Sequence, residues 1–356
     1  MAFELSGFLP LVNVLAQRYV EPILQDGVMR NDPLPAMLKR KCLYPYKGGP
    51  GWQLNSTYDT LSVIDVPKAG VSFDPTINTN QLEMGYQFDI RSKLVPIVVD
   101  LGLLTTDLWG QNVNLDYLET RLQAAALSMS AKIATDCYKD GQNVSGVDRT
   151  LAMNGLDEAL QDGSNAGWQG RTFTTYGTVA RSSVNGAITS PMTGPTANIG
   201  SIKYGDLEDF WMSQVYGDEK PDYWLTTNKG YSILKRVIMP YIRLEQADDQ
   251  DFGFTSFSFN GTKVFFSQYA PGSRVASAVD TKIGYVGSLS GETLWSLNSK
   301  HIRFYVTTNP MKAFALWEFV RGQNNQQAVA QYVADMNLVV TPGTNRYHRQ
   351  LFGMTD

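Results

Sequence analysis

The sequence predicts an α+β protein in which one long amphipathic helix separates an extended β-hairpin from a mixed α/β domain. Three patterns lead to this prediction: helical periodicity over residues 113–140, strand-like alternation with turn residues over residues 51–92, and interspersed helix and strand signals after residue 154. With 356 residues and 43% apolar content, the chain can build more than one core. We therefore expect at least two structural units and an outlying hairpin.

Charge and cysteine content narrow the functional classes. Lys and Arg number 30 against 34 Asp and Glu, a net charge of −4, so the chain lacks the overall basic field of a protein that reads DNA. Cys42 and Cys137 are the only cysteines and give no disulfide framework, which predicts a reducing compartment. No apolar run approaches the roughly 18 residues of a membrane span, so we expect no membrane partner.

Residues 1–50 have the composition of an N-terminal arm. An amphipathic segment is followed by a stretch punctuated by Pro33, Pro35, Pro45 and Pro50. Such a segment has few ways to build a core of its own. We expect it to pack either on the rest of its subunit or on a neighbour.

Residues 51–92 are predicted to form a long β-hairpin. Turn residues near Pro67 and Lys68 separate two strand-like runs, and on the second run Met84, Tyr86 and Phe88 alternate with polar residues. An isolated two-stranded hairpin is marginally stable in water. The hairpin therefore implies a docking partner.

The segment 113–140 is predicted to be one helix about 40 Å long. Asn114 is its expected N-cap, and Lys139 with Gly141 marks its end. An ordinary core helix is the alternative. Spacings of three and four place these residues on one apolar face: Leu115, Leu118, Leu122, Ala125, Met129, Ile133 and Cys137.

The remaining chain predicts a mixed domain. A helix over residues 206–216 has Asp206 as its expected N-cap, residues 222–227 form a short buried strand, and a second helix runs from Asn228 to Ile238. Further strands are predicted at residues 262–268, 284–286, 301–308, 313–320 and 328–340.

No residue pattern indicates catalysis. His301 and His348 are the only histidines, and the sequence marks no nucleophile beside either. Glu208 and Asp209 are best interpreted as surface charge that follows a helix start. We expect no enzyme activity and no catalytic, cofactor-binding or metal site.

The order of segments resembles one family. YQFDIRSKLVPIVVDLGLLTTD, the long helix, NGLDEALQDG, TYGTVARS, KPDYWLTTN, FNGTKVFFSQYAPG and VTTNP follow one another as in the major capsid proteins of tailed bacteriophages. The resemblance covers nearly the whole chain from about Gly51. It implies the Hong Kong ninety-seven-like capsid fold.

The resemblance also implies a domain organisation. Residues 1–50 would be the N-terminal arm and 51–92 the extended loop that lies over an adjacent subunit. Residues 93–154 would form the peripheral domain, with its spine helix at 113–140. Residues 155–299 would form the axial domain, and residues 300–356 would return to the peripheral domain as strands.

The function implied is that of a major capsid protein, which self-assembles into an icosahedral head shell around double-stranded DNA. An encapsulin-like nanocompartment and a phage tail or baseplate protein are the alternatives. Expected partners are further copies in hexamers and pentamers, separate scaffolding, portal and optional decoration proteins, and packaged DNA through non-specific contact. The implied location is the virion capsid, assembled in the host bacterial cytoplasm.

Six residues are candidate contacts between subunits, because aromatic and basic side chains on the hairpin and its root suit an interface. Packing within their own subunit is the alternative for the aromatic ones. In some relatives a loop lysine forms an isopeptide bond with a neighbour, and Lys68 is the corresponding candidate. The six are Trp52, Tyr58, Lys68, Tyr86, Phe88 and Arg91.

Overall fold

Two β-sheets, of six and five strands, organise the part of the chain that the computed structural model describes. That part comprises residues 32–49, 51–57, 83–100, 111–139, 153–160, 174–177, 179–180, 202–241, 254–270, 292–321, 327–341 and 348–354. Its α-helices are α1 (Pro33–Lys41), α2 (Gln111–Cys137), α3 (Leu156–Ala159), α4 (Tyr204–Met212) and α5 (Asn228–Ile238). None of these helices is both long and apolar enough to cross a membrane.

The strands of the described ranges are β1 (Leu43–Tyr46), β2 (Trp52–Thr57), β3 (Glu83–Phe88), β4 (Arg91–Asp100), β5 (Thr175–Tyr176), β6 (Val179–Ala180), β7 (Tyr223–Thr226), β8 (Ser256–Phe259), β9 (Thr262–Phe266), β10 (Glu292–Leu297), β11 (Ile302–Thr307), β12 (Ala315–Leu316), β13 (Val320–Arg321), β14 (Gln327–Val340) and β15 (Arg349–Met354). With the helices, they make the fold α+β, as the sequence predicts.

The six-stranded sheet is built around β14. This strand pairs antiparallel with β4 along ten residues and, on its other edge, with β11, β12 and β13, while β1 runs parallel to β11. Helix α2 packs on β4, whose side chains alternate so that Lys93, Ile97 and Val99 are buried. The alternation of one strand therefore sets the face that receives the long helix.

Helix α2 confirms the predicted apolar face. The side chains of Leu118, Leu122, Met129 and Ile133 are at most 5% exposed. Asn114 is not the N-cap, because the helix begins at Gln111 and ends at Cys137. Capping preference is shared by several polar residue types, so residue type alone did not fix the first turn.

The five-stranded sheet has the order β15-β10-β7-β9-β8. Strand β7 is buried on both sides: Trp224 packs in the core formed with α4 and α5, and Tyr223 and Leu225 pack in the core of the six-stranded sheet and α2. Helices α4 and α5 thus cover one face of this sheet. The predicted strand at 222–227 and the predicted helix from Asn228 to Ile238 are confirmed.

Asp206 is not the N-cap of α4. The helix begins at Tyr204, and the Asp206 carboxylate accepts a hydrogen bond from the backbone N–H of Lys203 at 2.9 Å. Acidic residues are favoured both at the N-cap and at the third helical position, since each accepts from free backbone N–H groups near the helix start. The residue type therefore predicted the helix start to within a turn.

Two further predictions are corrected, and a third concerns residues outside the described ones. The segment 313–320 contains only β12 and β13, because Phe314 has a positive φ of 56° and residues 317–319 leave the strand conformation. Strand β15 pairs with β10, so the end of the predicted return, residues 300–356, belongs to the five-stranded sheet. The predicted strand at 284–286 lies outside the described residues.

Part of the predicted arm belongs to the subunit core. Leu34, Met37 and Leu38 of α1 are at most 1% exposed and join the hydrophobic cluster that contains α2. Strand β1 then adds to the edge of the six-stranded sheet through β11. For residues 32–49, the arm packs on its own subunit.

Candidate inter-subunit surfaces

Strands β2 and β3 pair with each other at the base of the predicted hairpin. Their register runs from Trp52 opposite Phe88 to Thr57 opposite Glu83. In the described residues the pair forms a separate two-stranded sheet. The residues predicted to form the hairpin's outer part, 58–82, lie outside the described chain.

The root of the hairpin is fixed by Asn337 of β14. Its buried side-chain amide donates to the backbone carbonyl of Asp89 at 2.7 Å and to Oδ1 of Asn154 at 2.9 Å. The amide oxygen of Asn337 accepts from the backbone N–H of Asn154 at 2.9 Å. One buried side chain thus holds the hairpin root and the segment before α3 against the sheet.

Tyr86 and Phe88 pack inside their own subunit. Their exposed fractions are 0% and 4%, and the Phe88 ring contacts the Tyr176 ring edge-on at a centroid distance of 5.1 Å. A Cβ atom on Gly177, whose φ is +55°, would lie 2.7 Å from Cζ of Phe88. The alternation predicted for this strand is correct, but the buried rings cannot anchor a neighbour in this arrangement, which corrects their assignment as contacts.

The other predicted contact residues occupy the hairpin and its root. Trp52 is the first residue of β2, and Arg91 begins β4, with its guanidinium Nη2 3.7 Å from the Asp89 carboxylate. Arg91 is 17% exposed and can still meet a neighbour at its rim. Tyr58 and Lys68 lie outside the described residues.

A buried ionic cluster locks the C-terminal end of α2 onto β4. Asp136 is 1% exposed and pairs with Lys93 of β4, with Lys132 at 3.0 Å and with Lys139 at 3.8 Å. Burial alone would raise the pKa of Asp136, but the three lysines together hold it below its ordinary value. The carboxylate therefore remains charged and fixes the helix relative to the sheet.

Gly155 lets the next segment approach the same helix end. A Cβ atom there would lie 2.2 Å from the carbonyl oxygen of Lys139 and 2.6 Å from that of Asp136. Only glycine permits this backbone contact without displacement. The Asn154-Gly155 pair thus connects the end of α2 to β14.

A buried carboxyl joins α1 to the five-stranded sheet. Asp32 is the N-cap of α1, accepts from the backbone N–H of Leu34 at 3.3 Å, and receives the hydroxyl of Ser267, which follows β9. Burial raises the pKa of Asp32 to about 7, although both hydrogen bonds oppose the rise. This group links α1 to the five-stranded sheet and is sensitive to pH near neutrality.

The two histidines lie where the chain passes from β10 to β11. His348 accepts from the backbone N–H of Asn298 at 3.1 Å, and His301 lies 2.6 Å from the Glu219 carboxylate. Burial, with a smaller effect of His301, lowers the pKa of His348 to about 3, so its ring is neutral. Each ring therefore connects the segment between β10 and β11 with a part of the chain that is distant in sequence.

One face of the six-stranded sheet exposes apolar side chains that the sequence analysis did not identify. Val98, Val329 and Val320 lie directly opposite one another on β4, β14 and β13 and so share a face. Val98 is 42% exposed and Val320 is 67% exposed. Leu94 is 50% exposed and lies on the same face of β4 as Val98, because the two are an even number of positions apart. The sequence contains a signal for this face, because residues 94–99 are apolar at odd and even positions alike, which is typical of a strand covered on both faces.

Comparison with solved structures identifies the fold. The chain is similar to the Cyanophage A-1(L) capsid chain, with a TM-score of 0.59, 12% identity, and coverage of 90% of this chain and 93% of that one. It is also similar to a chain of the holo-SrpI encapsulin complex from Synechococcus elongatus, with a TM-score of 0.54, 11% identity, and coverage of 90% and 88%. The protein thus has the Hong Kong ninety-seven-like fold.

A third similar structure is that of Mycobacterium phage Ogopogo, with a TM-score of 0.51, 11% identity, and coverage of 89% of this chain and 91% of that one. No protein-family model and no curated protein sequence matches the chain. At these identities the likeness establishes the fold alone.

Proposed function

We propose that this protein is the major capsid protein of a tailed bacteriophage, which assembles through hexamers and pentamers into an icosahedral head shell around double-stranded DNA. The observation that carries the proposal is the likeness to the cyanophage capsid chain, which extends over 90% of this chain. The role is structural and non-enzymatic. It needs surfaces for copies of the same chain.

The exposed apolar row on the six-stranded sheet supplies such a surface. Contiguous exposed apolar side chains mark sites that another surface covers, and Leu94, Val98 and Val320 form one. The 25 residues 58–82, which the sequence predicts to form the outer part of the hairpin, include Leu61, Val63 and other apolar residues. The hairpin of a neighbouring copy is the occupant that we assign to this row.

Many modest contacts explain shell stability. A specific interface buries about 1,200–2,000 Å² in total, and a subunit that meets several neighbours at once gains from their combined effect. Trp52, Tyr58, Lys68 and Arg91 remain candidate contacts with the neighbour. An isopeptide bond through Lys68 would appear on a denaturing gel as species larger than the 39.5 kDa chain.

Further partners follow from the proposed role. A head shell requires a portal for DNA entry, and separate scaffolding and decoration proteins complete the expected set. The packaged DNA would contact the inner wall without sequence specificity. The location is the virion, after assembly in the cytoplasm of the host bacterium.

An encapsulin-like compartment is the second candidate, and the likeness to the holo-SrpI encapsulin complex favours it. The two functions differ in what the assembled particle encloses, which is DNA in a capsid and protein in a compartment. Particles purified from phage-producing cells and treated with nuclease should retain genome-length DNA if the protein is a capsid protein. Particles that retain only protein after this treatment would contradict the phage function and support the compartment.

A further inference from the structure

Two helices of the five-stranded sheet present opposite charges to solvent. Helix α4 carries three exposed carboxylates, at Asp206, Glu208 and Asp209, and no Lys or Arg occurs from Tyr204 to Ser213. Asp206 and Asp209 are three positions apart and so lie on the same side of the helix. This face is followed by Met212, which is 60% exposed.

Helix α5 presents the opposite charge. Lys229, Lys235 and Arg236 are exposed, and no Asp or Glu occurs from Asn228 to Tyr241. Lys229 and Arg236 are seven positions apart, which places them on one side of the helix about 10 Å from each other. Here too exposed apolar side chains follow, with Met239 57% and Tyr241 69% exposed.

Four of these six charged side chains are unpaired within the described part of the subunit. Among the described residues, no ion pair or side-chain hydrogen bond involves Glu208, Asp209, Lys229 or Lys235. The helix dipole accounts for an acid near the start of α4 and cations near the end of α5. It does not account for Asp209 in the C-terminal half of α4 or for Lys229 in the first turn of α5, where the dipole opposes them.

We infer that the acidic face of α4 contacts the basic face of α5 on the next copy of the chain, in a head-to-tail ring. The inference rests on the proposed function and names a contact within its rings. A second copy is the fitting partner because the chain carries both members of a complementary pair, and each copy then uses each face once. A partner of one charge sign would satisfy only one of the two helices.

The arrangement has the anatomy of a protein interface. Exposed methionine and tyrosine side chains provide apolar contact, and the surrounding charges select partner and orientation. Both helices lie on the same face of the five-stranded sheet, through Trp224 and the cluster around it. The same hydrophobic cluster therefore supports both charged helices.

Charge reversal tests the contact in the full-length chain. The α4 variant is Glu208→Lys with Asp209→Lys, and the α5 variant is Lys229→Glu with Lys235→Glu. Asp206 is left intact because it accepts a hydrogen bond at the start of α4. Each variant should reduce the assembled fraction, measured by sedimentation and electron microscopy, by about tenfold or more, because attractive pairs become repulsive. The quadruple variant should restore assembly.

A matched control reverses two exposed carboxylates that lie outside α4 and α5, Glu119→Lys with Asp218→Lys. It makes the same charge change as the α4 variant and should assemble as the wild type does. Circular dichroism of each variant should match the wild type. Assembly at wild-type level by either reversed pair, or failure of the folded quadruple variant to assemble, would overturn the inference.

Mixing the two reversed variants gives a second test. One variant then carries two basic faces and the other two acidic faces, so they can alternate around a ring only when its number of subunits is even. The mixture should form six-membered rings and no five-membered ones, while the quadruple variant should form both. Absence of six-membered rings from the mixture would overturn the contact. Failure of the wild type to form any ring would instead overturn the proposed function.

Discussion

Replacing Asp32 with Asn should remove a large part of the pH dependence of subunit stability. Asp32 is 1% exposed, caps α1 and accepts hydrogen bonds from Leu34 and Ser267. Asn keeps one oxygen, which can accept from the backbone N–H of Leu34, presents its NH2 group to the Ser267 hydroxyl, and carries no charge at any pH. The substitution therefore removes the carboxylate charge while it keeps the capping hydrogen bond.

The expected magnitude follows from the raised pKa. Burial raises the pKa of Asp32 from 3.8 to about 7, so the charged form is disfavoured in the folded protein. Stability from this group is fully present below pH 3.8 and is lost as pH rises to about 7. Since tenfold in proton affinity corresponds to about 1.4 kcal/mol, the total loss is about 4 kcal/mol, with roughly 2–3 kcal/mol of it between pH 5 and pH 8.

The assay is urea denaturation of unassembled subunits at pH 5 and pH 8, followed by tryptophan fluorescence. The wild type should lose roughly 2–3 kcal/mol more than Asp32→Asn over this interval. Glu119→Gln, at an exposed carboxyl, is the control and should follow the wild type. Equal pH dependence in wild type and Asp32→Asn would refute the assignment of this titration to Asp32.

Three other predictions concern the core, the thiols and the hairpin. Asp136→Ala should cost about 3–5 kcal/mol of unfolding free energy, because Lys93, 8% exposed, is left buried without its partner; a loss below about 1 kcal/mol in urea denaturation would contradict this. Cys42, whose pKa burial raises to about 12, and Cys137, also raised by burial, should react with a thiol reagent at pH 8 only as fast as the protein unfolds; immediate reaction would show that they are accessible. Replacing residues 58–82 with Asn-Gly should leave a folded subunit, because β2 and β3 can still pair, but one that forms no closed shells; normal shells in electron microscopy would exclude the hairpin as an assembly element.

Elements with a strong local pattern could be predicted from the sequence. The apolar face of α2 follows from spacings of three and four, and the helix from Asn228 to Ile238 has both a capping Thr227 and a clear periodicity. Alternation identified the return strand β3, with Tyr86 and Phe88 on one side. These features depend on residues close together in the chain.

Features that depend on distant residues were missed. The pairing of β15 with β10 joins residues 53–62 positions apart, and short strands such as β1 gain their partner only from the folded sheet. The burial of Tyr86 and Phe88 depends on Tyr176 and Gly177, which no local pattern connects to them. An exposed face and a buried face have the same alternation, so the sequence could not tell an interface aromatic from a core one.

We propose that the chain functions as one of many identical subunits in a closed shell. Electron microscopy of the purified full-length protein at increasing concentration is the decisive experiment. We expect closed polyhedral shells, with five- and six-membered rings of subunits on their surface. A protein that stays monomeric at every concentration, with residues 58–82 folded on its own body, would contradict it.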